Sequence, residues 1–433
     1  CLLIFFLYIY MTLMTRIRNN PFILIELIYL LIPVALVFSR AISDLFLIII
    51  VFFFIIYSIK NKVYHYYKNK LFFFFIIFCI YLISISLIKN HQIPISVLFF
   101  FRFGFFSLAT WFLLDHNNDL IKKIFLSIFF TCLIVIIDAF FQYLVGFNFL
   151  GYEYSIKSNR LSGFFNDELI LGSYITRFSP LFLFQLGIFY LFKKDNFYFS
   201  FIFSIILFIY IFVIFLTGER TAFIYFTLAV LFYFIILISK KFILIVFLIL
   251  LSSFILLNIL GENRLIKTTQ LQIIQSFSKT NDLRLELKNI DDIPIGHLRH
   301  WKTSYLMAKE NPLFGIGPRM FREKCDNPKY IVKDGCATHP HNLYFQILAE
   351  TGLIGLLFII SFFVYIVKKI FFNLRNNKSL SLTDNKTMIC ISAFPLFLHF
   401  FPLLPNGNFF NNWLNILTFF LIGIFLHFQY KQN

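Results

Sequence analysis

Charge is what this chain has least of. Asp, Glu, Lys and Arg make up 14% of its 433 residues, too few to clothe a water-soluble protein of this length. Cysteine is scarce too, at 6 residues, which excludes a disulfide-built scaffold. No internal repeat is visible, and no Pro/Ser-rich linker marks off a second domain. No Asp-x-Asp cluster that would hold a divalent metal with a nucleotide sugar lies in an outer loop; Asp291-Asp292 is the nearest approach. Asn311-Pro-Leu-Phe-Gly315-Ile-Gly317-Pro is a Gly/Pro turn and not a phosphate loop, since it lacks the Lys-Ser/Thr ending and a preceding strand.

What fills the chain is hydrocarbon. Hydrophobic residues reach 60%, with 67 Phe, and long uncharged runs predict an all-α polytopic membrane protein. Runs of spanning length fall at 22–38, 41–59, 71–88, 94–114, 121–145, 168–192, 197–217, 220–239, 241–260, 343–367, 386–405 and 408–428, about twelve in all. The net charge of +17 does not signal nucleic-acid binding, because the basic residues sit in short loops between apolar runs rather than on a folded polar domain. Alternate loops carry Arg16/Arg18, Lys60/Lys62/Lys68/Lys70, Lys122/Lys123, Lys193/Lys194, Lys240/Lys241 and Lys368/Lys369/Arg375/Lys378. By the positive-inside rule these are cytoplasmic. The chain therefore divides into an N-terminal segment, 1–20, left out of the topology; helices one to nine, 21–260; a large outer loop, 261–342; and helices ten to twelve with a short cytoplasmic tail, 343–433. Cys1 as first residue predicts a fragment or a mis-started frame, and residues 1–14 are short for a span.

Ionisable groups inside spans cost about 2.5–3.5 kcal/mol each on insertion scales, so each calls for a reason. Arg102 is expected near mid-span and Arg177 about two turns into its span. Asp138 is a candidate counter-charge for one of them. A buried ion pair or snorkelling would account for them; so would a polar cavity for a charged head group. Thr217-Gly218-Glu219-Arg220 is expected to be an outer turn that places Arg220 in a first helical turn, where a guanidinium fork suits phosphate. Interfacial anchoring is the plainer alternative. Arg160 and Arg299 are the other outer-side cations of interest.

The long polar loop re-enters the membrane at His339-Pro340-His341-Asn342. In a continuous helix Gly352 lies eleven positions beyond His341, close to three turns, with Gly355 three further on. That arithmetic predicts a small-residue face under the histidine for close helix approach, and it sets Glu350 on nearly the opposite face. An imidazole held there could serve as general base towards a hydroxyl. Cys325, Cys336, His339 and His341 could ligate zinc, but their spacing fits no standard pattern. A Cys325–Cys336 disulfide is the expected state on an oxidising side, while Cys79, Cys132 and Cys390 read as packing residues.

These residues resemble the O-antigen ligase and O-antigen polymerase superfamily of bacterial membrane glycosyltransferases. The resemblance is carried by His341-Asn342, nine residues and then Gly352-x-x-Gly355, and by Arg220-x3-Ile224, in which Ile replaces the family's Leu. Gln142-Tyr143-x2-Gly146, Arg160-Leu-Ser-Gly163-x-Phe165 and Pro312-Leu-Phe-Gly315-Ile-Gly317 add to it, over roughly residues 130–360. The resemblance implies a GT-C-like helical fold with one large periplasmic loop, in the bacterial inner membrane, with the active site facing the periplasm. It implies an undecaprenyl-diphosphate-linked glycan as donor, a lipid A–core or lipid-linked glycan as acceptor, and no nucleotide, metal or other cofactor. His341 would activate or position the acceptor hydroxyl. Arg220 and Arg299, with Arg160, would bind the diphosphate, and Asn342, His339, Gly352, Gly355, Arg102, Arg177 and Asp138 would support them. Transfer to lipid A–core is the first expectation, polymerisation of lipid-linked repeats the close second, and protein glycosylation a third. A transporter would instead show two pseudo-symmetric halves, which one large loop and the lack of a repeat argue against.

Overall fold

The computed structural model describes residues 20–154, 160–193, 197–237, 296–375, 384–402 and 404–431. The predicted span 241–260, residues 1–14 and the first part of the large loop lie outside these residues. Helices account for nearly all regular structure, and no strand occurs among the described residues. They are α1 (Pro21–Leu30), α2 (Ile32–Phe38), α3 (Arg40–Lys60), α4 (Lys70–Asn90), α5 (Ile95–Leu98), α6 (Phe101–His116), α7 (Leu120–Val145), α8 (Leu171–Lys193), α9 (Phe197–Leu216), α10 (Arg220–Leu237), α11 (Gly296–Glu310), α12 (Phe321–Lys324), α13 (Leu343–Arg375), α14 (Asn385–His399) and α15 (Asn412–Tyr430). Several start where the sequence offers a side-chain acceptor. Asn20, Ser39, Asn69 and Asn411 each take a backbone N–H of the following first turn.

Among the described residues six helices are long and apolar enough to cross a membrane, or seven if α1 and α2, bent by 48°, form one span. Helices α8, α9, α10 and α14 occupy four further predicted runs. Helix α14 stops at His399, short of the predicted 405. Pro402 and Pro405 follow, and neither they nor the residues before them suit a continuing helix. The resulting non-helical residues, 400–402 and 404–411, prove central to the site.

Helix α15 is the axis of the bundle: 83% of its spanning window is buried, against 28% for α3 and for α4. The outer helices present Phe52, Phe73, Ile80 and Ile88 to the surroundings. Apolar groups are stable in that position only against lipid or another protein. Loops that the charge pattern assigns to one side meet one another. Arg40 pairs with Glu168, Arg319 donates to Ser96 and Lys89 to Asn311 at one end. At the other end Tyr66 and His427 converge on Asp115, and Asn117 on Glu26.

This frame gives the intramembrane charges their partners. Arg102, in the first turn of α6 and about two turns into the Ile95–His116 span, pairs at 2.9 Å with Asp44, in the second turn of α3. Asp138 pairs with no arginine among the described residues. Two turns before the end of α7, it accepts from the Phe149 N–H at 2.9 Å and from Asn148 Nδ2 at 3.3 Å, and so holds the chain as it folds back. Gln142 does the same, accepting from the Gly163 N–H at 2.9 Å and donating to the Tyr152 carbonyl at 3.1 Å. The Gln142 and Gly163 elements of the sequence are thus clamps on one loop.

Candidate active site

His341 is not part of a helix. Its φ is +56°, a left-handed conformation that a bulky residue seldom adopts. Two tethers hold it there. Its carbonyl accepts from the Asn406 N–H at 2.8 Å. The next residue, Asn342, caps α13: its Oδ1 accepts from the Tyr344 and Phe345 N–H groups at 2.9 and 3.2 Å. Its Nδ2 donates to the Pro402 carbonyl at 2.9 Å. A His-Asn pair at this junction therefore puts an imidazole on a turn whose neighbour is locked at both ends of its side chain.

The expected alignment of His341 over Gly352 on one helix does not hold, because the helix is broken at Gly352 (φ 67°, ψ −168°). That conformation is essentially confined to glycine. The break exposes backbone groups, and residues 312–317 satisfy them as a strap. Leu353 N–H donates to the Pro312 carbonyl at 2.8 Å, and Ile316 and Gly317 N–H donate to the Ala349 and Glu350 carbonyls at 2.9 and 3.0 Å. A Cβ on Gly352 would lie 2.3 Å from the Leu313 backbone, and one on Gly315 2.5 Å from the Glu350 backbone. The glycine-rich elements around 315 and 352 are the two sides of one backbone-to-backbone contact. Tyr81 of α4 takes up the Thr351 carbonyl at 2.5 Å. Glu350 accepts from the Phe321 N–H and from Gln346.

Around His341 stand three more imidazoles. His339 lies 4.2 Å away between ring centroids, His297 5.1 Å and His300 5.4 Å. His297 and His300 share a face of α11 through their i, i+3 spacing. Trp301, stacked on Phe345 at 5.1 Å, docks that helix on the first turn of α13. Cys325 and Cys336 form a disulfide that closes the intervening loop. His300 Nδ1 meets the Gly335 carbonyl at 2.9 Å. Burial, reinforced by the neighbouring imidazoles, holds His341 down to about 3 and His339 to about 4. His297 is lowered by burial, by His300 and by the Arg220 charge. His341, His339 and His297 are therefore neutral at physiological pH, with ring nitrogens able to accept a proton.

Arg220, the first residue of α10, acts electrostatically on His297 of this cluster. Arg299, on α11, forms an ion pair with the exposed Asp334. Arg160 braces the turn before Arg220: its Nε donates to the Thr217 carbonyl at 2.8 Å, and its guanidinium lies 3.3 Å from Glu219. Glu219 also accepts from the Gly172 N–H at 3.1 Å, and burial, partly offset by Arg160, pushes it up to about 7. Arg177 is buried and donates to Asn406 at 2.7 Å, so it reaches the loop that tethers His341. Arg102 and Asp138 belong to other contacts and have none with the histidines. Sequence reasoning missed His297, His300, Glu219 and Asn406. The paired histidines of Gly-His297-Leu-Arg-His300 were a usable signal; Asn406, within a run read as membrane, gave none.

Residues 205–360 match the O-antigen ligase family. The match supports the O-antigen ligase and polymerase superfamily for this part of the chain. It takes in Arg220, Arg299, His339, His341, Asn342, Gly352 and Gly355, and leaves Arg102, Asp138, Arg160 and Arg177 outside it. The same match supports a glycosyltransferase-type enzyme with O-antigen ligase or polymerase activity in general, acting on lipid-linked glycan at a membrane. A comparison with curated proteins finds no match.

Proposed function

We propose that the protein transfers a glycan from a polyprenyl diphosphate to a sugar hydroxyl of lipid A–core, at the periplasmic face of the bacterial inner membrane. The observation that carries this reading is the neutral His341, fixed by its backbone, with Arg220 near the same histidine cluster. The acceptor hydroxyl gives its proton to His341 as its oxygen bonds to the anomeric carbon. The bond from that carbon to the diphosphate oxygen breaks, and the diphosphate leaves with the electron pair. Arg220 and Arg299 stabilise the charge that develops there. Arg299 enters the site by exchanging Asp334 for phosphate, and Arg160 with Glu219 holds the turn that aims Arg220. The step needs no metal, since the guanidinium groups carry the charge of the leaving group.

A base held down to about 3 is weak in the empty protein. A bound diphosphate adds negative charge near the cluster and raises the proton affinity of His341, so the base strengthens when the donor is in place. Joining lipid-linked repeats, the polymerase reaction, uses the same donor and the same step. It differs only in the acceptor.

His341→Ala should abolish glycan transfer while the protein still inserts and folds; near-normal transfer would sink the assignment. Complementation of ligase-null and polymerase-null bacteria, with glycan chain length read on a gel, separates the two acceptors.

A further inference from the structure

Three cavities adjoin at the end of the bundle that carries the histidines. One of about 460 Å³ is lined by Arg319, Arg322, Thr338 and Glu350. A second, about 440 Å³, shares Arg319 with it. A third, about 430 Å³, shares Pro94 and Met320 with the first and adds Lys89 and Lys324. Each is of the size that takes a sugar-sized ligand or larger.

Five cations line these cavities, Arg40, Lys89, Arg319, Arg322 and Lys324, and Arg40 is paired with Glu168. Arg319 donates to Ser96 Oγ at 2.7 Å, Lys89 to Asn311 Oδ1 at 2.8 Å and Lys324 to the Ile316 carbonyl at 3.0 Å. Neither Arg319 nor Arg322 forms an ion pair among the described residues. Lys324 is lowered by burial and by the charge of Lys89, while Glu310 acts on it in the opposite direction. Of the carboxylates on the cleft walls, Asp44 is paired with Arg102, Glu350 is bound to Phe321 N–H and Gln346, and Glu323 is exposed. At Arg319 and Lys89 a neutral acceptor orients the cation without cancelling its charge, and with Arg322 these give the cleft an excess of positive potential for an anion.

The cleft also reaches the histidines. Thr338, on its wall, bonds through Oγ1 to His339 Nδ1 at 3.0 Å, and the His339 ring is 4.2 Å from that of His341. Arg220 acts on His297 instead. The cleft thus approaches His341 through Thr338 and His339, and neither Arg220 nor Arg299 lines it.

We propose that this cleft is a second anion site, which holds a phosphate group of the lipid-anchored acceptor and presents the acceptor's hydroxyl to His341. The acceptor assignment rests on the function proposed above, whereas the anion site rests on the cleft itself. Its test uses the full chain in phosphatidylcholine nanodiscs with dodecyl phosphate, a single-chain phosphomonoester, as probe. Wild type should bind it at two sites. Arg319→Gln with Arg322→Gln should weaken one by roughly tenfold or more, as expected for a lost charge-assisted hydrogen bond, and Arg220→Gln with Arg299→Gln should weaken the other. Lys89→Gln, further from the histidines, repeats the first test if the arginine pair disturbs folding. Binding unchanged by both the Arg319/Arg322 pair and Lys89→Gln overturns the anion site. If only the Arg220/Arg299 pair has no effect, the donor reading fails and the cleft stands. Phosphatidylglycerol that displaces the probe from the cleft would show an ordinary lipid contact and overturn the acceptor assignment. In the transfer assay the Arg319/Arg322 pair should raise the acceptor KM with the donor KM unchanged; a rise in the donor KM alone overturns it as well.

Discussion

Arg177 reaches Asn406 at 2.7 Å, and the Asn406 N–H holds the His341 carbonyl at 2.8 Å. A buried guanidinium in α8 is thereby linked to the conformation of the candidate base through one side chain and one peptide group. Arg177→Met should lower the transfer rate by about tenfold to a hundredfold, the range in which misplacement by an ångström acts. Donor KM should change little, because Arg177 does not touch the donor in this reading. Asn406→Ala should give the same pattern, and steady-state kinetics of both variants at varied donor checks it. A rise in donor KM without a fall in rate would instead make Arg177 part of the phosphate site.

Asp334 occupies the guanidinium that the donor is proposed to use. Asp334→Asn removes a competing carboxylate and should lower the donor KM by a few-fold, since an exposed ion pair contributes about 0–1 kcal/mol. Arg299→Lys should raise it, because an ammonium cannot reproduce the two parallel hydrogen bonds of the fork. Arg220→Lys should be damaging for the same reason. Donor titrations on the three variants decide the point, and wild-type kinetics in the Arg220→Lys variant would reduce Arg220 to an anchor.

Gly352→Ala should destabilise the protein by at least about 1–3 kcal/mol, the cost of holding a side chain in that backbone region. The added Cβ also meets the Leu313 backbone at 2.3 Å, which no rotamer change relieves. Thermal unfolding in detergent measures the loss. Gly355→Ala, within a regular part of α13 and against the Thr351 side chain, should cost less.

Mild acid should loosen the histidine end first. His341 and His339 are held down to about 3 and about 4 when folded, and near 6.5 when unfolded. Between those values the unfolded chain binds more protons, so stability is complete above about pH 6.5 and falls as pH drops towards 4. Protection of the amides in 296–301 and 338–346, measured against the unstructured exchange rate at the same pH, should fall over this window, and His339→Phe should flatten the fall. Protection independent of pH there would show that the imidazoles are already solvated.

The apolar runs made the helices legible, because a spanning helix must be apolar for most of its length and says so in its composition. His341, Asn342 and Arg220 were legible because short motifs and their place at a loop–membrane junction coincide. Pairing was not legible. Asp138 serves the Phe149 N–H and the Asn148 side chain rather than an arginine, and Arg102 meets Asp44, because partners in a bundle are set by tertiary packing. The Gly352 element misled in a specific way. Small residues in a membrane helix suggest helix–helix contact, and here the glycine ends one helical segment and opens its backbone to a strap from the loop.

That strap decides what can be exchanged between related chains. Residues 312–317 are bound to α13 through main-chain groups, which any sequence of compatible conformation can supply, while Gly315 and Gly352 must match as a pair. A chimera that grafts the 296–342 segment of one protein onto the membrane helices of another should fold only when residues 343–355 travel with it. The smallest transplantable unit is then a loop together with the first turns of the helix that follows it.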